Sequence, residues 1–259
     1  LPFREAALTL WTAARYALFR SGAPGVVVGS DGWLFTAEEF EVAEEYDAVL
    51  RERMERIATV RDRLEEKDIA LVVALIPSKT RVQSHRLAGS RPPDVLDRRY
   101  DEALGRFRRA GLPTPDLRPA LSPPDSFLAR DTHWTPQGAR RAAEALAPAV
   151  GQRLEERWEQ SRAFGVEAGE TVLHAGDLMA FLPLEPFADN FGLHPEEVHP
   201  YVSSTAAEGS GDPLDLFATP SIPVALIGTS YSADPLWSFH PLLQAAVEAE
   251  VLPVAEVGR

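Results

Sequence analysis

The chain contains no cysteine in its 259 residues, which excludes disulfides, a thiolate metal site and a cysteine nucleophile. It contains only two lysines, Lys67 and Lys79, beside 24 arginines. No apolar run approaches the roughly 18–20 residues that span a bilayer. Residues 1–19, LPFREAALTLWTAARYALF, carry Arg4, Glu5 and Arg15 and read as an amphipathic helix. Basic residues are almost missing from the last third. After Arg162 only Arg259 is basic, against fourteen Asp and Glu, while residues 1–162 hold 25 charges of each sign. The net charge of −13 lacks the basic stripe of a nucleic-acid binder, so no nucleic-acid partner is expected. Repeats, heptads and low-complexity tracts are also lacking. The first residue is Leu, and the chain is expected to be an excerpt, with any signal peptide or anchor lying before it.

What is present is an alternation of apolar runs and helical patterns. VVVGSDGWLF (26–35) reads as strand, tight turn, strand, with Gly29, Asp31 and Gly32 in the turn. Apolar residues at helical spacing predict a long helix from about Glu38 to Lys67. IALVVALIP (69–77) is an unbroken apolar run, the pattern of a strand covered on both faces, as in a parallel sheet. A helix is expected near Asp94–Ala110 and a short strand at LPTPDL (112–117). Thr135 and Pro136 form a helix start, followed by a face of Ala139, Ala142, Ala143, Leu146 and Val150. Residues 163–222 read as an irregular, loop-rich insert. PVALIGTSYS (223–232) is a strand running into a turn, a helix follows from about Asp234, and VLPVAEV (251–257) is a last strand. The expectation is one α/β domain over 1–259, three-layered, with a mainly parallel sheet and the 163–222 insert.

In such folds reactive groups gather at the carboxyl ends of parallel strands. Ser230, in GTS, lies at such an end. A serine at a sharp strand-to-helix turn is exposed, and its own N–H can face an oxyanion. Its commonest role elsewhere is to cap the helix, and Ser232 is a rival nucleophile. A serine needs a base, and DTHWTPQG (131–138) offers His133 with Asp131 two residues earlier. In an extended segment, residues i and i+2 point to the same side, so Asp131 can orient the imidazole that serves Ser230. Taken alone, the pair reads equally as a surface turn. Lys79 and Arg81, just past the strand ending at Pro77, are candidates for holding a sugar carboxylate. Tyr231 and Asn190 are weaker candidates for the same site. His194 and His199, in HPEEVHP, lack the spacing of a metal motif, and no metal or cofactor is expected. His85, His174 and His240 show no pattern.

GTS at the end of an apolar strand, with a DxHW segment whose His lies 97 residues upstream, resembles the SGNH hydrolase-like acyltransferases, and more closely the periplasmic alginate O-acetyltransferase group. GVVVGSDGWLFTAEEF, LIPSKTRV, DTHWTPQGA and GTSYSADPLWSF look like that family's blocks. The resemblance implies a triad of Ser230, His133 and Asp131, with acetyl passing to serine and then to a hydroxyl of an exopolysaccharide. It also implies a periplasmic location, often at the inner membrane, beside a membrane-embedded protein that supplies acetyl groups. The chain departs from ordinary SGNH hydrolases: DxH comes first and GTS last, and Thr229 stands where those enzymes carry Asp. One oxyanion donor is expected to be the Ser230 N–H; the second has no assigned residue. An esterase with the same triad and a non-catalytic polysaccharide-binding subunit are the rival readings. A surface of net charge −13 repels a polyanion such as alginate, so either the balanced N-terminal part supplies a basic groove or the polymer is another one.

Overall fold

The computed structural model describes residues 2–155, 163–205 and 222–255. The elements in chain order are α1 (Pro2–Phe19), β1 (Val26–Val28), β2 (Leu34–Thr36), α2 (Tyr46–Glu65), α3 (Lys79–Val82), α4 (Asp94–Arg109), α5 (Arg118–Leu121) and α6 (Pro136–Glu155). They continue with β3 (Phe164–Ala168), β4 (Val172–His174), β5 (Glu196–Val198), β6 (Tyr201–Thr205), β7 (Val224–Leu226), α7 (Ser230–Ala233), α8 (Phe239–Val247) and β8 (Val251–Pro253). The chain divides into two compact units, one of residues 1–133 and 173–197, the other of 134–172 and 198–259.

In the first unit β1 and β2 pair antiparallel, Val27 opposite Phe35. The turn between them uses positive φ at Asp31 (51°) and Gly32 (74°), a conformation open to Gly and tolerated by Asp. Leu34 and Phe35 are fully buried. Val26, Val28 and Leu34 pack with Tyr16 of α1 and with Leu178, Leu182, Leu184 and Leu193. The Leu34 N–H donates to the Ala129 carbonyl (2.8 Å), which ties β2 to the segment leading into Asp131. α4 buries Tyr100, Ala103, Leu104 and Phe107, the i, i+3, i+4, i+7 spacing of a one-sided helix.

The long helix expected from Glu38 is shorter at its start. A 3₁₀ turn covers Ala37–Phe40, and α2 begins only at Tyr46. The cause is Glu39, whose carboxylate accepts from the N–H groups of Lys79 (3.1 Å) and Thr80 (2.8 Å). Holding those orphan donors at the start of α3 fixes the 37–40 turn and stops helix growth through it.

The strand expected at 69–77 is not formed as a ladder strand. Val73 N–H donates to the Pro113 carbonyl (2.9 Å). The segment it meets, LPTPDL, carries Pro113 and Pro115, which have no N–H to return, so a ladder cannot build. Among the described residues the strands form two-stranded pairs, of which β7 with β8 is parallel, so the larger parallel sheet expected from the sequence is not among them.

In the second unit α6 buries Ala139, Ala142, Ala143 and Leu146. It packs on α8, which buries Phe239, Leu242 and Leu243. The expected helix start at Thr135 is present: its Oγ1 accepts from the Gly138 N–H (3.0 Å) and its carbonyl from the Ala139 N–H (2.8 Å). The insert is more regular than expected. β3 and β6 pair antiparallel over five residues each, Phe164 opposite Thr205 and Ala168 opposite Tyr201. β3 is half-buried to exposed along its length, so its sequence shows no alternation to read. β8 covers the first three residues of the expected 251–257 strand; residues 256–259 lie outside the described residues.

Candidate active site

Asp131 and His133 lie in the first unit, at the end of a loop fixed by its backbone. Glu196 accepts from the N–H groups of Ala129 (2.8 Å) and Arg130 (2.9 Å). Asp177 accepts from Thr132 N–H (2.9 Å) and Thr132 Oγ1 (2.6 Å). Gly176 has φ of +90°, and a Cβ there would come within 2.2 Å of the Arg130 carbonyl oxygen, so only glycine allows this approach.

The Asp131 side chain is 2% exposed and is surrounded by donors. Oδ1 accepts from the His133 backbone N–H (2.8 Å) and from His133 Nδ1 (2.6 Å). Oδ2 accepts from His174 Nε2 (2.6 Å) and from the Asp177 N–H (2.9 Å). Burial alone would raise the Asp131 carboxyl, but the donors from His133 and His174 and the two backbone N–H groups outweigh it and hold it well below the usual carboxylate range. The carboxylate is therefore ionised at neutral pH. An ionised carboxylate only accepts, so His133 Nδ1 carries the proton, and in the neutral ring Nε2 carries the lone pair of a base.

Lys79 does not hold a sugar carboxylate. Its side chain is buried, and Nζ donates to the carbonyls of Leu34 (2.7 Å), Ala129 (3.0 Å) and Asp131 (2.9 Å). Burial pulls its ammonium from the ordinary lysine range down to about 7, against the attraction of Glu39, Glu196, Asp131 and Asp177. Three carbonyl acceptors match the three N–H donors of the charged form, and none is left for a ligand. Lys79→Met is expected to leave these carbonyls unpaired and to lower unfolding free energy by about 3 kcal/mol. Urea unfolding checks this, and a loss below about 0.5 kcal/mol would show that the clamp does not support the loop.

Arg81 is largely committed elsewhere. Its guanidinium pairs with Asp97 (2.9 Å), donates to the Leu96 and Asp97 carbonyls and lies 5.0 Å over the Tyr100 ring. It lines a cleft of about 840 Å³ with Arg91, Arg118, Asp94, Asp97 and Asp101, three cations facing three anions. Asn190 is exposed in a 3₁₀ turn, Ala188–Phe191. His194 Nδ1 bonds the exposed Asp189 (2.9 Å), and His199 Nδ1 bonds Thr171 Oγ1 (2.9 Å). Ligand atoms of Asp131, His133 and Asp177 fall within 4.8 Å of one another, as metal ligands do. Both oxygens of each aspartate, however, already accept N–H or O–H donors, which accounts for their convergence.

Ser230 lies in the second unit, as the first residue of α7, after β7 and the three-residue connection Ile227–Thr229. Thr229 takes the cap position in extended backbone, φ −104° and ψ −163°, so Ser230 is not the helix cap. Gly228 lies against Ser232, where a Cβ would come within 2.1 Å of Oγ and require that hydroxyl to turn away. Ser232 Oγ donates back to the Thr229 carbonyl (3.1 Å). Tyr231 packs edge-on against the buried Trp134 (5.1 Å), and Trp134 stacks on Phe239 (5.0 Å). Tyr231 is thus held by an aromatic cluster.

The sequence reading missed His174 and Asp177. Both fall in the segment read as an irregular insert, 43 and 46 residues from Asp131. The one available signal is a His and an Asp flanking Gly176, in HAGD. For Lys79 the sequence offers no signal that separates it from the exposed Lys67.

Residues 26–259 match the family model described as SGNH hydrolase-like domain, acetyltransferase AlgX. The chain belongs to this family. It is 38% identical over 262 residues to the probable alginate O-acetylase AlgJ of Pseudomonas putida, covering 99% of this chain and 68% of that protein. The corresponding protein of Pseudomonas aeruginosa is 36% identical, with 100% and 68% covered. The chain thus spans about two thirds of the length of these relatives. Among solved structures, the O-acetyltransferase domain of Pseudomonas putida AlgJ superposes with a TM-score of 0.78 at 37% identity, over 91% of this chain and 81% of that one. Pseudomonas aeruginosa AlgX superposes at 0.66 with 23% identity, which shows the fold alone. The fold is therefore SGNH-like, as the resemblance implied.

Proposed function

We propose that this member of the acetyltransferase family moves acetyl through Ser230, with His133 as base and Asp131 as its orienting acid, onto hydroxyls of an exopolysaccharide such as alginate. The observation that carries the reading is the Asp131–His133 pair, in which a saturated, ionised carboxylate holds Nδ1 and leaves Nε2 as the base. The names of the relatives support the substrate class. In the first step His133 Nε2 takes the Ser230 Oγ proton while Oγ attacks the acetyl carbonyl. The tetrahedral intermediate collapses, and His133 returns the proton to the departing donor group. In the second step His133 takes a proton from a sugar hydroxyl, which attacks the acetyl-serine, and gives that proton to Ser230 Oγ. The Ser230 N–H supplies one oxyanion donor. A periplasmic location and a membrane-embedded acetyl donor complete the proposal.

The test separates transferase from esterase. Protein charged by a small activated acetyl ester is mixed with a uronate oligosaccharide and followed by mass spectrometry. A bound hydroxyl has an effective molarity that bulk water lacks, so turnover is expected to rise and acetyl to move to the sugar. If acetate forms at the same rate with or without oligosaccharide, and no sugar is acetylated, the chain is an esterase. If no acyl donor is turned over while polymer still binds, it is an assembly subunit.

A further inference from the structure

A carboxylate offers about four lone-pair sites, and all four on Asp131 are filled. Two donors come from His133 itself. The other two come from residues 174–177, which neither the family's triad nor the sequence reading includes. His174 Nε2 lies 2.6 Å and the Asp177 N–H 2.9 Å from Oδ2. Because the carboxylate is ionised, His174 is a donor through Nε2, so this second imidazole faces Asp131 from the side opposite His133. Its placement is built rather than incidental. Gly176 lets the segment close onto the Arg130 carbonyl, Leu178 N–H donates to that same carbonyl (3.2 Å), and the Asp177 carboxylate grips Thr132, next to Asp131.

We propose that His174 is a positioning residue for acyl transfer, locking the Asp131 carboxylate in the one rotation that keeps His133 Nδ1–H bonded. The proposal rests on the triad reading above. With the His174 bond made, any turn of the carboxyl plane breaks good bonds on both oxygens, so Oδ1 stays aimed at His133. The bond also draws charge toward Oδ2. This lowers the proton affinity of Oδ1, so the proton taken up by His133 stays on the imidazole and is available to the leaving group. Without the bond, Oδ2 keeps the Asp177 N–H alone, so the carboxylate is held less firmly and becomes a stronger base, and both changes act on the chemical step rather than on substrate binding.

The test compares two amides of different reach. Glutamine places its amide nitrogen, Nε2, close to where imidazole Nε2 stands, whereas asparagine is one methylene shorter and falls short of Oδ2. His174→Gln is expected to stay within a fewfold of wild type. His174→Asn is expected to lose about 10–100-fold in kcat, the size of one hydrogen bond to a buried charge, with KM little changed. The low-field proton resonance of His133 Nδ1–H should stay sharp in wild type and His174→Gln and broaden or shift upfield in His174→Asn. Equal activities for the two variants would overturn the proposal, whether both match wild type or both are low. Should His174→Asn unfold at the assay temperature, His174→Gln decides alone: wild-type turnover supports the role, and loss in a folded protein overturns it. Failure of the triad reading is seen separately. In that case Ser230→Ala keeps its turnover, while the proton resonance still reports whether His174 holds Asp131.

Discussion

Ser230→Ala protein is expected to lose acyl transfer by a factor on the order of 10⁶, the cost of removing the serine from a comparable triad. The residue opens α7 after the three-residue connection that follows β7, with extended backbone at Thr229. Ser232 is the nearest alternative in sequence, but its Oγ is turned back onto the Thr229 carbonyl at 3.1 Å. Ser232→Ala should therefore keep activity within a fewfold. Initial rates with an activated acetyl ester measure both variants. Ser230→Ala at wild-type turnover, or Ser232→Ala at background, would move the nucleophile away from Ser230.

Asp131→Asn is expected to lower turnover by about 10⁴-fold while the fold is retained, as the same change does in a comparable triad. The amide keeps one acceptor oxygen where four donors converge, and its NH₂ group faces N–H donors. His133 then loses the partner that fixes Nδ1–H and stabilises the imidazolium. The same variant has a signature in stability against pH. The folded carboxyl titrates below its unfolded value of about 3.9, so Asp131 stabilises the fold at neutral pH, and that contribution is lost as pH falls through the unfolded value toward the folded one. Urea unfolding from pH 6 down to pH 3 should show a steeper fall for wild type than for Asp131→Asn. Parallel curves would mean that the carboxylate is not held as the four hydrogen bonds require.

Sequence patterns carried the local features well, because their causes are local. The Asp31–Gly32 turn, the one-sided face of α4 and the Thr135–Pro136 helix start each follow from neighbours a few residues apart. The Asp131–His133 pair belongs to the same class, since i and i+2 meet within one loop. Features set by distant partners were not legible. The apolar run 69–77 has the composition of a buried strand, and its ladder fails because the facing segment carries Pro113 and Pro115. Lys79 resembles a rim residue in sequence, and its burial depends on carbonyls 45, 50 and 52 residues away. His174 and Asp177 lie in a stretch with no periodicity, and their role is defined only by a carboxylate more than 40 residues earlier. Ser230 was marked by its strand-to-helix turn, while its pairing with His133 rests on the family's pattern.

The central claim is that Ser230 and the Asp131–His133 pair work as one triad, and the site and rate of acetylation test it most directly. Protein treated with an activated acetyl ester is quenched, digested and mapped by mass spectrometry across a pH series, for wild type, His133→Ala and Asp131→Asn. One acetyl group on Ser230 is expected in wild type, formed at a rate that rises with pH as general-base catalysis requires. His133→Ala and Asp131→Asn should acquire it at least 10³-fold more slowly. Acetylation of Ser230 at the wild-type rate in His133→Ala, or acetyl found on another residue, would contradict the claim.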